Sequence, residues 1–430
     1  MRQDLFIIPH QWLGLPVFGF GWLLILWVIG SIVLLGWLWR REGRSEAVAY
    51  VPVLLAVAVV IAFVLPRLEQ RTPLGEPIGL PIRGFGVMML LAVVAGVGLA
   101  ARQAARMGLN PDIIYSLAFW VFVMGTLGAR TFYVIQYWER FQQDTWVATL
   151  EGVLNVTAGG LVVYGAVIAG LGAGLIFLTL RRLPVLAIAD LVTPSLLLGL
   201  AIGRIGCLLN GCCYGGLCDQ PWWCVRFPAG SPVYEHQMSR GQLHGFELVQ
   251  DAATGQPAVR AVHPDGPAET AGLQPGALIQ AIDGYGVEDL AAAGYRLATA
   301  GSTVTLQTDR GFVSVTTTAL PPRSRPVHPT QVYSAINAAL LCLLLWAYYP
   351  FRRRDGQVFA AVLVLYPVTR FLLELVRTDE PGRFGTGLSI SQIVSLGLIA
   401  IAAAVWAHVL RQPPGSALPI AYDSYDSSQR

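Results

Sequence analysis

The sequence contains no lysine and few charged residues of any kind. All 29 basic residues are arginines, and Asp, Glu, Lys and Arg together make up 13% of the 430 residues, against roughly 25% in ordinary soluble domains. Hydrophobic residues supply 54% and the mean hydropathy is +0.56. This composition excludes an ordinary soluble protein and indicates an integral membrane protein. The net charge of only +3 gives no indication of a nucleic-acid partner, and none is expected.

Nine hydrophobic runs are long enough to be spanning helices. A helix needs roughly 20 residues to cross a hydrocarbon core of about 30 Å. The sequence therefore predicts an all-α polytopic membrane protein with about nine transmembrane helices, at about 16–38, 48–65, 82–100, 114–136, 159–180, 186–208, 330–349, 356–376 and 388–410.

Arginines cluster after the odd-numbered runs, which predicts an orientation because basic residues accumulate in cytoplasmic loops. The N-terminus and the polar segment from about 209 to 327 are then outside the cytoplasm, and the C-terminus is inside. Only Arg2 precedes the first run, which argues against a cleaved signal peptide. The arginines concerned are Arg40, Arg41, Arg44, Arg102, Arg106, Arg181, Arg182, Arg352, Arg353, Arg354 and Arg411.

The polar segment contains a small α+β insert. Alternating apolar residues within 258–318 predict short strands. The insert includes the stretches Gly266-Pro267-Ala268-Glu269, Ala271-Gly272-Leu273, Pro275-Gly276 and Ile279-Gln280-Ala281-Ile282-Asp283-Gly284. These stretches resemble a PDZ domain, with Ala277 in place of the usual aspartate. The resemblance implies a groove that receives a peptide as an added strand, with a carboxylate-binding loop near Gly245-Phe246-Glu247-Leu248. A spacer or an oligomer contact is the alternative.

Ionisable residues inside spanning segments are costly and therefore mark candidate sites. They are Arg130, Asp190, Arg204, Arg370 and Glu374. Arg370 and Glu374 are four residues apart and can pair on one helical face. The remaining arginine charge suits an anionic group that enters from the membrane, since guanidinium groups bind phosphate oxygens in a bidentate manner.

Five segments between about residue 73 and 411 form a recognisable series: PIRGFGVMM (81–89), GGLVVYGAVIAG (159–170), DLVTP running into GRIGCLLNGCCYG (190–215), HPTQVYSA (328–335), and YPVTRFLLELVRTDEPG (366–382) followed by SISQIVS. In this order they resemble the prolipoprotein diacylglyceryl transferases. The glycines of the second segment are also typical of close helix packing. The resemblance implies transfer of the diacylglyceryl group of phosphatidylglycerol to the lipobox cysteine of a secreted precursor.

The resemblance also implies roles for individual residues. Arg204 is expected to contact the lipid phosphate, with Arg130 as a second phosphate ligand, and Arg370 and Glu374 are expected to complete the polar core. The site is expected to be shaped by Asn210, Gly215 and Tyr333. Positive charge near the leaving phosphate is where electrostatic stabilisation of this reaction acts.

Several family positions are changed in this chain. The family histidine, considered as a base, is Tyr164, and a phenol with a pKa of about 10 is a poor base at neutral pH. The expected tyrosine is Phe85, the expected asparagine is Cys207 and the expected glutamate is Cys212. His328 is the candidate replacement for the base.

Five of the six cysteines fall between 207 and 224, and the sixth, Cys342, lies alone in an apolar run. Outside the cytoplasm disulfides are the default, so one or two are expected here. Cys212 or Cys213 could pair with Cys218 or Cys224, and the sequence leaves the connectivity open. No metal site is expected, because the C-x2-C pairs typical of zinc sites are missing. A reactive thiol at Cys207, beside Arg204, is the alternative.

The sequence thus predicts five regions: two extra N-terminal helices (1–72), a transferase-like body in two parts (73–235 and 323–411), the insert (236–322) and a polar tail (412–430). The expected protein is a transferase of the bacterial inner membrane that needs no cofactor. Its expected partners are phosphatidylglycerol, a lipobox precursor, membrane lipids and a peptide ligand of the insert. Two alternatives are a catalytically altered lipid-binding paralogue that recruits peptides, and a thiol-redox membrane protein.

Overall fold

The computed structural model describes residues 3–71, 76–142, 145–154, 160–218, 222–251, 254–316, 320–376 and 387–418. The helices are α1 (Trp22–Arg41), α2 (Arg44–Val59), α3 (Gly84–Arg106), α4 (Pro111–Gln136), α5 (Trp146–Leu154), α6 (Val163–Leu180), α7 (Val185–Asn210), α8 (Pro232–Ser239), α9 (Pro267–Thr270), α10 (Leu290–Thr299), α11 (Thr330–Tyr348), α12 (Gln357–Glu374) and α13 (Ile390–Arg411). The strands are β1 (Asp4–Pro9), β2 (Gln11–Trp12), β3 (Leu15–Pro16), β4 (Gln70–Arg71), β5 (Pro77–Arg83), β6 (Phe246–Gln250), β7 (Pro257–Val262), β8 (Ile279–Ile282), β9 (Tyr285–Gly286), β10 (Thr303–Thr308) and β11 (Gly311–Thr316).

Nine helices within these described ranges are long and apolar enough to cross a membrane. They are α1, α2 with its continuation to Arg67, α3, α4, α6, α7, α11, α12 and α13. All nine coincide with the hydrophobic runs of the sequence, so the prediction of a polytopic helical membrane protein is confirmed. α2 continues through a π turn at Val60–Val64 and a 3-10 turn at Leu65–Arg67, which lengthens a span that looks short in the sequence.

The chain divides into two units, and the first contains residues 88–118 and everything from 175 onwards. Within it α7 is the central helix, because half of its most apolar stretch is buried, against 6% to 28% in the other eight spans. Small residues bring α3 close to α7: a side chain at Gly96 would lie 3.1 Å from the Ser195 carbonyl oxygen. The apolar core between α3, α7, α11 and α12 includes Ala104, Leu191, Leu345 and Val358.

The second unit contains residues 4–87 and 119–174. Its sheet has the order β1-β5-β4, with β1 antiparallel to β5. These strands were not predicted, and they explain why α1 begins at Trp22 and not near residue 16. In the same unit α4 and α6 meet at glycines: a Cβ at Gly128 would collide with Ala169 and with the Gly165 carbonyl. Gly165 of the α6 segment therefore serves helix packing, whereas Gly160 precedes the helix in a left-handed conformation with φ of 83°, and Gly159 lies outside the described residues.

The insert has its own apolar core and belongs to the first unit. A four-stranded sheet has the order β11-β10-β8-β9, and β6 pairs with β7. The insert's core includes Phe246, Leu248, Ile279, Leu297 and Leu306, all fully buried. Two chain segments join the insert to the membrane body side by side, since the Ala229 amide donates to the Pro322 carbonyl at 3.1 Å and the Ser324 amide to the Phe227 carbonyl at 2.8 Å.

The space beside β6 is filled by the insert's own chain. The Leu248 amide donates to the Arg240 carbonyl at 2.9 Å, directly after α8. α8 reaches α10, where a Cβ at Gly294 would lie 3.0 Å from the Ser239 side chain. The resemblance to a PDZ domain implies a peptide groove beside β6. In this chain α8 occupies that place.

Candidate active site

Three helices of the first unit line one narrow pocket with polar side chains. α7 contributes Leu200 and Arg204, which are four residues apart and share a helical face. α11 adds a serine and an asparagine one turn apart, and α12 adds three residues at helical spacing. The full lining is Leu200, Arg204, Ser334, Asn337, Tyr366, Arg370 and Leu373. The pocket brings together two of the arginines that the sequence predicts for the site, Arg204 and Arg370.

The Arg370 guanidinium is fixed by α12 and α13. Its Nη1 lies 2.5 Å from the Glu374 Oε2, and its Nη2 donates to the Ser391 Oγ at 3.1 Å. Glu374 in turn accepts a hydrogen bond from the Ser389 hydroxyl at 3.1 Å, and Ser389 caps α13 in a capping box with Gln392. The pairing of Arg370 with Glu374 is present, and it orients Arg370 in the pocket.

Arg204 carries the surplus positive charge of this pocket. Among the described residues, the ion pairs are His10–Glu69, Arg352–Asp190 and Arg370–Glu374, so no described carboxylate pairs with Arg204. Its guanidinium interacts with the Tyr366 hydroxyl, which leaves the positive charge uncompensated. One paired and one uncompensated guanidinium in a single pocket suit an anionic phosphate group.

The end of α7 and the beginning of α11 meet through backbone hydrogen bonds. The Gly215 amide donates to the His328 carbonyl at 2.9 Å, and a Cβ at Gly215 would lie 2.8 Å from side-chain atoms of both His328 and Thr330. The His328 Nδ1 is 3.5 Å from the Tyr333 hydroxyl. Asn210 is the last residue of α7. Four predicted site residues thus occupy one junction, where Gly215 is required by the close approach of the two segments.

Arg130 and Tyr164 lie in the second unit. The buried Arg130 donates to three backbone carbonyls, those of Val153 and Gly152 at 2.8 Å and that of Gly160 at 3.1 Å. These bonds tie the end of α5 to α4. Tyr164 lies in the first turn of α6 and is 39% exposed.

Asp190 is buried and its carboxylate caps a helix. Its two oxygens accept hydrogen bonds from the Gly356 and Phe359 amides, both at 2.8 Å, at the N-terminal end of α12. The Arg352 Nε lies 4.0 Å from the Asp190 carboxylate. Arg352 is buried as well and donates to the Tyr349 and Leu418 carbonyls. The Asp190 carboxylate therefore holds α12 against α7. Arg352 is an internal residue and is not exposed at a membrane surface.

The disulfide expectation is only partly right. Cys218 pairs with Cys224, with Cα atoms 5.8 Å apart, a separation that suits a bridge. Cys207, Cys212 and Cys213 lie outside this disulfide, so the candidate bridge from Cys212 or Cys213 to Cys218 or Cys224 is not formed. The reason is that the Cys212 and Cys213 carbonyls are fixed to the first turn of α11, and the two thiols lie beside Cys207. All three sulfurs lie within 4.8 Å of one another.

Five of the seven pocket residues were missed in the sequence: Leu200, Ser334, Asn337, Tyr366 and Leu373. Leu200 lies four residues before Arg204, Tyr366 lies four before Arg370, and Leu373 lies three after Arg370. Helical spacing from the two predicted arginines could have identified these three. The last part of the α12 segment, residues 377–382, lies outside the described residues.

Comparison with known proteins identifies the family of this chain. The model of the prolipoprotein diacylglyceryl transferase family matches residues 76–408. A phosphatidylglycerol–prolipoprotein diacylglyceryl transferase of Rhodopirellula baltica is 39% identical over 93% of this chain and 87% of its own length. A second such transferase of Clostridium perfringens is 26% identical over 77% of this chain and 92% of its own, and one of Trichormus variabilis is 38% identical over 33% and 48%. The chain belongs to the prolipoprotein diacylglyceryl transferase family.

Proposed function

We propose that this protein transfers the diacylglyceryl group of phosphatidylglycerol to the cysteine thiol of a lipoprotein precursor at the pocket between α7, α11 and α12. The observation that carries the proposal is the uncompensated Arg204 beside the fixed Arg370. In the reaction the thiolate attacks the glyceryl carbon, a C–S bond forms, the C–O bond to phosphate breaks, and glycerol phosphate leaves as a dianion. Arg204 binds the phosphate and stabilises the charge that develops on it.

The remaining predicted residues have supporting roles in this proposal. Arg370 completes the phosphate site, and Glu374 holds it in place. The junction of Asn210, Gly215, His328 and Tyr333 shapes the entrance on the side of the pocket where α7 ends. Arg130, in the second unit, stays a predicted phosphate ligand; in the structure its guanidinium donates to three backbone carbonyls and caps the end of α5. The distribution of arginines supports a bacterial inner-membrane location, with the N-terminus and the insert outside the cytoplasm.

The test of the function is the reaction itself. Purified full-length protein is mixed with liposomes of phosphatidylglycerol and a lipobox peptide. We expect the peptide to gain the mass of one diacylglyceryl group for each glycerol phosphate released. Lipid binding without any modified peptide would support the catalytically altered paralogue instead.

Tyr164 is not expected to accept the thiol proton at neutral pH. A phenol with a pKa of about 10 holds its own proton at pH 7, so Tyr164→Phe should change the rate of transfer by less than about twofold, whereas loss of a general base costs about 10²-fold or more. The initial rate of diacylglyceryl transfer is measured at pH 7 and at pH 9, with wild-type protein as the reference. A loss of 10²-fold in the phenylalanine variant at pH 7 would assign the proton transfer to Tyr164.

The insert is proposed to hold the precursor polypeptide, in a groove from which α8 must first move. Because the two joining segments lie side by side, residues 230–321 can be replaced by a short glycine linker. We expect the KM for a full-length precursor to rise about tenfold or more, as for the loss of a modest binding contact of about 1.4 kcal/mol, and phosphatidylglycerol binding to stay unchanged.

The matched control for the excision is a short lipobox peptide that cannot reach the insert. Its KM should be the same with and without residues 230–321. An unchanged KM for the full-length precursor would identify the insert as a spacer.

A further inference from the structure

Three cysteines meet at the end of α7. Cys207 lies in the last turn of the helix, and Cys212 and Cys213 follow directly after its end. Their sulfurs all lie within 4.8 Å of one another, and all three side chains are half-buried and outside the disulfide. Among the described residues, these three cysteines form the group of candidate ligands that lie close enough together to hold one metal ion. We refer to Cys207, Cys212 and Cys213 as the thiol cluster.

The backbone that carries the thiol cluster is held in place. Gly211 ends α7 in a left-handed conformation with φ of 77°, and Cys213 is also left-handed, with φ of 57°. The Gln331 side-chain amide donates to the Cys212 carbonyl and the Thr330 hydroxyl to the Cys213 carbonyl, both at 2.7 Å. Gln331 and Thr330 are themselves almost fully buried. The turn that brings the thiols together is thus fixed by α11 through buried hydrogen bonds.

The left-handed turn explains why sequence spacing did not predict this cluster. Zinc sites with C-x2-C pairs bring thiols together within a short turn, whereas here the spacing is five and six residues from Cys207. The reversal of the chain at Gly211 and Cys213 returns the later two thiols to the end of the helix. Two of the three positions, Cys207 and Cys212, hold polar residues other than cysteine in the family pattern.

We propose that the thiol cluster binds one zinc ion and leaves its fourth coordination position open for the thiol of the acceptor. Tetrahedral zinc binds thiolates at about 2.3 Å, which places neighbouring sulfurs roughly 3.8 Å apart, within the separations observed. Three protein ligands with one open position are typical of catalytic zinc, and soft thiolates select such an ion.

The charge beside the cluster is suited to this ion. Three thiolates and Zn²⁺ sum to one negative charge. Arg204, three residues before Cys207 on α7, interacts electrostatically with both Cys207 and Cys213. Its guanidinium is therefore close to the thiol cluster and also lines the pocket that we assign to phosphate. The two halves of the reaction, a thiol and a phosphate ester, are brought to the same turn of α7.

The role of the zinc rests on the proposed function. A thiol that binds zinc loses its proton, here to solvent, and becomes a zinc-bound thiolate. Its sulfur attacks the glyceryl carbon, the C–S bond forms, and the C–O bond breaks as glycerol phosphate departs. No side-chain base is needed in this sequence of events, so it can proceed in a chain whose Tyr164 is a poor base at neutral pH.

The first test measures the zinc content of the protein and does not depend on its activity. Full-length protein is purified without chelator, and its zinc content and free thiols are counted. We expect about one zinc per chain for wild type, as a single four-coordinate site requires, and for the matched control Cys342→Ala, which removes a buried thiol from α11. Cys207→Ser and Cys213→Ser should bind zinc more weakly by more than roughly tenfold. Substitution by Co²⁺ should give thiolate-to-cobalt charge-transfer absorption in wild type and in the control, and weaker absorption in these two variants at the same Co²⁺ concentration.

Two results would overturn the site: a wild-type protein with three reduced thiols that binds no zinc, or a disulfide between any two members of the thiol cluster. The zinc site and the transferase function can be refuted independently of each other. Bound zinc without any transfer would remove the role in thiol activation and the proposed function but leave the site. Transfer that persists in Cys207→Ser after zinc is stripped would remove the zinc proposal and leave the transferase.

Discussion

Arg204→Ala is expected to lower the rate of diacylglyceryl transfer by about 10²–10³-fold, the usual cost of removing one group that stabilises developing negative charge. Arg204 is the charge in the pocket that no described carboxylate offsets. Arg370 remains in the variant, so phosphatidylglycerol binding should weaken far less than the rate falls. The measurement is single-turnover transfer in liposomes together with lipid binding.

The matched control is Arg102→Ala, which removes an exposed arginine near the end of α3. This variant should retain the wild-type rate, because the side chain lies outside the pocket. Equal rates for Arg204→Ala and wild type would show that Arg204 does not contact the phosphate in the transition state.

Asp190→Ala is expected to destabilise the membrane body by about 3–5 kcal/mol, the usual result of leaving a buried charge without its partner. The variant removes the acceptor of the Gly356 and Phe359 amides and the carboxylate nearest to the buried Arg352. Thermal unfolding in detergent, followed by fluorescence of the tryptophans, measures the change.

Two further variants separate this effect from a general loss of charge. Asp112→Ala removes an exposed carboxylate from the first turn of α4 and should change stability by less than about 0.5 kcal/mol. The double variant Asp190→Ala, Arg352→Met should recover part of the loss, since it removes the unpaired buried charge. Wild-type stability in Asp190→Ala would contradict the capping role.

The spans could be predicted from the sequence because membrane helices need only length and apolar composition. The sheet of β1 and β5 could not, since it depends on pairing between Asp4–Pro9 and Pro77–Arg83, which are far apart in the chain and lack the turn that marks a hairpin. Local sequence carries no information about such a partner.

The sequence predicted the arginines of the site, but it did not predict which groups each charged residue contacts. A charged residue in a span is expensive wherever it lies, so the sequence gives the same indication for Arg204, which lines a pocket, and for Asp190, which caps a neighbouring helix. Arg130 is a third case, because its donors meet backbone carbonyls of a loop and helix end. Only the positions of the neighbouring segments distinguish these roles.

The cysteine pairing, too, could not be predicted from the sequence. The count and compartment favoured disulfides, and one is present between Cys218 and Cys224. The pairing, however, depends on where the chain reverses, and the left-handed residues at Gly211 and Cys213 place three thiols at the end of α7. Spacing along the sequence does not report that reversal.

The measurement that tests the central claim most directly is transfer in water enriched with ¹⁸O. Attack by a thiolate on the glyceryl carbon breaks the C–O bond, so the phosphate keeps its own oxygens. We predict glycerol phosphate without ¹⁸O and one lipid-modified peptide for each molecule released. Glycerol phosphate that carries ¹⁸O, with free diacylglycerol and unmodified peptide, would show hydrolysis at phosphorus and would contradict the transferase assignment.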